Sequence, residues 1–149
     1  MKAIFLDIDG VLNSTNTKVL TNYTRATFLD PDMILRLKRI IEATDAKVVL
    51  SSDWRYDKDD ERYNQDFIEL RDTLKENGIE FYGFTPERID GNRGFEIAEY
   101  ILSHDGFTNY VVLDDRPDAC IDNSHFVRTL MSTGLTEEHV EEAIKILND

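Results

Sequence analysis

Apolar side chains in this 149-residue chain fall into short solid runs, separated by stretches where they recur every three or four positions. The run Ala3-Ile4-Phe5-Leu6 has no polar interruption, as expected of a strand buried on both faces. Lys47-Val48-Val49-Leu50 and Tyr110-Val111-Val112-Leu113 repeat it, residues 79–84 form a more aromatic strand, and residues 125–128 a short fifth one. Between the strands the period changes. Ile34, Leu37, Ile40 and Ile41 share one helical face, opened by the capping signal Asp30-Pro31 and running to about Thr44. Phe67, Leu70 and Leu74 mark a second helix that Asn77-Gly78 can end. Ile97, Ala98, Ile101 and Leu102 mark a third, with Arg93 near its amino end, and Val140, Ala143, Ile144 and Leu147 a last one capped by Thr136. Residues 13–29 are polar and rich in Thr, which predicts a flap, and Asp57, Asp59, Asp60 and Glu61 predict a solvated loop.

Strands alternating with helices imply right-handed crossovers, hence an α/β fold with a mostly parallel five-stranded sheet covered on both faces. The length suits a single domain over residues 1–149 with no linker or repeat. In such sheets ligands bind beyond the carboxyl ends of the strands. That rule gathers Asp7, Asp9, Ser51, Ser52, Asp114 and Asp115 into one crevice from distant parts of the chain. Asp7 and Asp9 lie two positions apart and point the same way, with Gly10 allowing a sharp turn. Two carboxylates so placed repel each other and need a metal ion, a shared proton or a cation. Asp-x-Asp-Gly alone could be a polar turn, but two more strand ends carrying polar groups argue against that. A calcium loop fails on spacing, because Leu12 stands where a further oxygen ligand is required.

Composition narrows the chemistry. A net charge of −13 and a pI near 4.6 exclude an extended nucleic-acid groove, although a local basic pocket remains compatible. Cys120 is the one cysteine, so no intrachain disulfide can form; we read it as a structural thiol in a reducing cytoplasm. No apolar run reaches membrane-spanning length, and the start lacks the pattern of a secretory leader. His104, His125 and His139 show no metal-ligand spacing and are read as structural.

Carboxylates without histidine or thiol make a hard-oxygen site suited to Mg²⁺. Magnesium invites a phosphate, which strand-end hydroxyls can hydrogen-bond and Arg93 can neutralise. A carboxylate left beside that phosphate can attack it to form an aspartyl-phosphate.

With these motifs in place, the sequence resembles the haloacid dehalogenase-like (HAD) phosphohydrolases over most of its length. Asp-Ile-Asp-Gly-Val-Leu-Asn, Ser-Ser-Asp-Trp-Arg and Arg-Gly-Phe-Glu-Ile resemble more narrowly a small, capless subgroup expected to accompany RNA-repair enzymes. The resemblance implies a Rossmann-like three-layer sandwich with a minimal cap, and a phosphatase in which Asp7 is the nucleophile and Asp9 the general acid/base. It implies that Ser51, with Ser52 beside it, holds the phosphoryl group. Arg93 would fill a cationic position more often lysine in the family, with Arg88 of the same loop as the alternative. Asp114 and Asp115 would complete a magnesium site with Asp7 and the Asp9 backbone carbonyl. The short flap implies an open pocket. Trp54 as a stacking surface, with Arg55 and Arg88 as further contacts, would then admit a nucleotide or the terminal phosphate of a nucleic acid. A phosphatase of small metabolites or phosphoproteins, and a non-catalytic phosphate- or partner-binding module, are the alternatives.

Overall fold

The computed structural model describes residues 1–17, 29–56, 58–60, 62 and 64–149. Most of the expected flap, and the acidic-loop residues Asp57 and Glu61, lie outside the described residues. Five strands, β1 (Lys2–Leu6), β2 (Lys47–Leu50), β3 (Phe81–Phe84), β4 (Asn109–Asp114) and β5 (Phe126–Arg128), form one sheet in the order β3-β2-β1-β4-β5. Every pairing is parallel, so the α/β expectation holds.

Four helices, α1 (Pro31–Thr44), α2 (Gln65–Glu76), α3 (Arg93–Ser103) and α4 (Glu137–Leu147), cover the two faces. The side-chain alternation along β1 decides which core each residue joins. Ile4 and Leu6 pack with Leu37 of α1, Leu70 of α2 and Val140 of α4, whereas Ala3 and Phe5 pack with Ile97 and Tyr100 of α3. Among the described residues no helix is long and apolar enough to cross a membrane.

Helix ends follow local chemistry. Asp30 caps α1 by accepting from the Asp32 amide at 3.0 Å, and Gly78 adopts φ +77° just after α2. β3 is shorter than its apolar run. The Ile79 amide bonds back to the Leu74 carbonyl at 3.0 Å, which spends the first residues of that run on ending α2.

The chain runs outward from β1 through β2 to β3, then crosses over to β4 on the other side of β1. Such a reversal leaves a crevice at the carboxyl ends of the two strands beside it. Asp7 and Asp114 are the residues found there.

Candidate active site

Parallel pairing continues one residue past the strand ends and fixes the backbone of the site. The Asp7 amide donates to the Leu113 carbonyl at 3.0 Å, and the Ser51 amide to the Leu6 carbonyl at 2.8 Å. One carboxylate oxygen each from Asp7, Asp114 and Asp115 lie within 4.8 Å of one another. Gly10 is required beside them. Its φ of +84° is unfavourable for other residues, and a Cβ there would lie 2.8 Å from Asp115 Oδ2.

Arg93 enters this cluster from the amino end of α3. Its Nη1 donates to Asp114 Oδ2 at 3.0 Å and to the Ser51 carbonyl at 2.6 Å, and stands 3.4 Å from Asp7 Oδ1. Its Nη2 reaches Asp53 Oδ1 at 3.2 Å. Asn92 caps α3 through the Phe95 amide, and Asp118 Oδ2 accepts from the Arg93 amide at 3.1 Å, so this arginine is held at both ends. Arg88 lies outside the crevice. It pairs with Asp90 and Glu99 and lies over the Phe95 ring.

The electrostatics follow from burial. Asp7 is held well above the ordinary carboxylate range by desolvation and then by the neighbouring Asp114 charge, with Arg93 pulling the other way. Asp114 is pushed up to about 6 by burial, against the lowering effect of Arg93 and of the Arg116 amide. Three carboxylates and one guanidinium leave two negative charges when all are ionised, the charge of one divalent cation. The donors are all oxygens, so the residues present fit Mg²⁺.

Asp9 has a separate environment. Its Oδ2 accepts from the Trp54 indole N–H at 3.0 Å and its Oδ1 from the Asn13 amide at 2.9 Å, while Asn13 Oδ1 takes the Gly10 N–H at 2.9 Å. Ser52 Oγ is occupied with the Trp54 amide in a 3-10 turn at Asp53–Arg55. Ser51 Oγ is buried and makes no hydrogen bond among the described residues.

Two sequence expectations are corrected. Trp54 is 3 % exposed and directs its N–H at Asp9, so its ring offers no face to a base. Arg55 is wholly buried, bonded to the carbonyls of Thr85, Ser52 and Pro86 and to Glu96 Oε2 at 2.7 Å, and has no surface with which to meet a substrate. The tight turn after β2 explains both, because it folds the two side chains back under the strand ends.

Asn13, Asp53, Glu96, Arg116, Asp118 and Met131 were not singled out as site or supporting residues from the sequence. Asn13 and Glu96 stand inside the quoted motifs, and Arg116 follows the Asp114-Asp115 pair directly. Met131 lies in an otherwise unremarked loop and gave no signal.

The profile of a family described as "HAD domain in Swiss Army Knife RNA repair proteins" matches residues 3–140. The chain belongs to that family. Comparison with curated proteins and with solved structures gives no match. Membership in this HAD family associates the cluster of three aspartates with HAD-type phosphohydrolases in general.

Proposed function

We propose that this HAD domain is a magnesium-dependent phosphomonoester hydrolase. The observation that carries the reading is the division of the strand-end acids into two settings. Asp7 sits with Asp114 and Asp115 around Arg93, whereas Asp9 is held apart by an indole and an amide donor.

Asp7 attacks phosphorus through a carboxylate oxygen as the bond to the ester oxygen breaks. Asp9 gives its proton to the departing alkoxide. Asp9 then takes a proton from water, whose oxygen attacks the aspartyl-phosphate and frees Asp7 and inorganic phosphate. Arg93 and the Ser51 hydroxyl hold phosphoryl oxygens through both displacements. Mg²⁺ held by Asp7, Asp114, Asp115 and the Asp9 carbonyl would neutralise phosphoryl charge.

For the substrate we propose a nucleotide or the phosphorylated end of a nucleic acid, as the RNA-repair context of the family supports. The crevice is about 200 Å³, the scale of a phosphate with part of its leaving group, so contact is confined to the terminus.

Release of inorganic phosphate from a panel of phosphomonoesters with magnesium, including 3′- and 5′-phosphorylated oligonucleotides, tests the reading. Asp7→Asn removes turnover, and Asp9→Asn keeps substrate binding while losing rate by about a hundredfold or more. Turnover by Asp7→Asn near that of the parent, or full activity in chelator, would reject the mechanism.

A further inference from the structure

With Trp54 and Arg55 buried, the rim of the crevice is left to other side chains. Arg116 and Met131 line the same cavity as Asp7, Asp9 and Arg93. Arg116 is 38 % exposed and its guanidinium is fixed: Nε donates to Asp118 Oδ1 at 2.9 Å, and Nη2 to Asp118 Oδ2 at 2.6 Å and the Gly91 carbonyl at 3.2 Å. Nη1 makes no hydrogen bond among the described residues. Asp118 is also engaged by the Arg93 amide, so one carboxylate aligns the buried arginine and the rim arginine together. Met131 supplies the apolar part. It is 42 % exposed, on a loop closed by the Leu130 and Gly134 bridge and tied by the Thr15 amide to the Met131 carbonyl at 2.9 Å.

A rim with one oriented guanidinium and one apolar side chain suits a leaving group that carries both an anion and an apolar surface. We infer that Arg116 and Met131 select a phosphomonoester whose leaving nucleoside bears a second phosphate on its other hydroxyl, Arg116 receiving that phosphate and Met131 the nucleoside. This rests on the phosphatase reading and deepens it. With Nε and Nη2 engaged, Nη1 of this preorganised guanidinium is the nitrogen that donates charge-assisted hydrogen bonds to phosphate oxygens. Alignment by Asp118 lowers the ordering cost of forming them. Nucleoside 3′,5′-bisphosphates and phosphorylated nucleic-acid ends share this chemistry.

The test compares kcat and KM, with magnesium, for a nucleoside 3′,5′-bisphosphate, a phosphorylated dinucleotide, nucleoside 3′- and 5′-monophosphates and glycerol 3-phosphate. The parent is expected to favour the two-phosphate substrates by about tenfold or more in kcat/KM, the scale of one charge-assisted hydrogen bond. Arg116→Gln removes that preference through KM with kcat little changed, and Arg116→Lys keeps part of it. Met131→Ala raises KM for every nucleotide and spares glycerol 3-phosphate. A preference shared by the dinucleotide assigns a nucleic-acid end, and one confined to the bisphosphate assigns a mononucleotide.

Equal loss on all substrates in Arg116→Gln, or a parent without preference, would overturn the inference while leaving the phosphatase reading intact. Should no substrate be turned over, the phosphatase reading fails. Equilibrium binding of the bisphosphate against the monophosphates, to the parent and to Arg116→Gln, then decides the role of Arg116 by the same ratio.

Discussion

Asp114 and Arg93 meet at 3.0 Å where water is nearly excluded, and that contact makes the site proton-linked. Asp114 and Asp7 hold protons more tightly than free aspartates because burial penalises their charge. A carboxyl whose folded pKa is raised favours the fold at low pH, and that contribution fades as pH rises through the folded value, about 6 for Asp114. The magnesium ion proposed for this cluster would require the ionised groups and would restore what was lost. The stabilisation given by magnesium should therefore be larger at pH 8 than at pH 5, measured as the rise in melting temperature on adding the ion. A rise independent of pH would count against these ligands. Glu96 makes a second residue-scale case. Its pair with Arg55 is 2.7 Å long and fully buried, so Glu96→Ala leaves a guanidinium bonded to carbonyls and lying over the Tyr56 ring with no carboxylate partner among the described residues. A cost of about 3–5 kcal/mol is expected, or on the order of 10 °C in the melting temperature of a domain this size. At this scale the sequence was legible for the gathering of Asp7, Asp9, Ser51, Asp114 and Asp115 at the strand ends and of Arg93 at the start of α3, because apolar runs and a helix cap mark those positions. It pointed the wrong way for Arg55 and Trp54, read as substrate contacts but buried, because only the path of a three-residue turn decides whether such a side chain faces the crevice or the core.

At the scale of elements, periodicity located the four α-helices and five strands of the described residues, and the differences sit where two elements compete for the same residues. Residues 79 and 80 read as strand, yet the end of α2 claims the Ile79 amide. The start of α4 carries a device that periodicity does not show. Thr136 Oγ1 accepts from the His139 amide at 3.3 Å, and His139 Nδ1 accepts from the Thr136 amide at 3.0 Å, a reciprocal cap with imidazole in the place usually taken by Glu or Gln. Nδ1 can accept only when unprotonated, and burial lowers the His139 pKa from its usual 6.5. A lowered histidine pKa gives stability that is complete above the unfolded value and is lost as pH falls below it. Thr136→Ala should cost about 1 kcal/mol at neutral pH. His139→Gln should flatten the part of the stability profile between pH 7 and pH 5 that belongs to this cap, as read from denaturant melts across that range. An unaltered profile would remove the cap as its source.

Across the whole molecule, a charge of −13 opposes any long polyanion, while the crevice holds Arg93 within and Arg116 at its rim. Binding of a phosphorylated oligonucleotide should accordingly show a shallow salt dependence, equivalent to about one to three neutralised phosphates. A steep slope, or affinity that climbs with oligonucleotide length, would point to a longer contact surface than the crevice provides. The order of the sheet also bears on how the molecule is made. β1 lies in the middle, and Lys2 pairs with Asn109 and Leu6 with Leu113. During synthesis the strand leading to Asp7 is made first, yet one of its edges stays open until β4 has left the ribosome. Asp114 and Asp115 arrive with that same strand. The nascent chain thus carries an unpaired apolar edge from the synthesis of β1 until that of β4, the kind of exposure that invites aggregation. Closing that edge and assembling the carboxylate cluster become a single event, so a ribosome-bound chain halted before residue 109 should be unable to form the cluster.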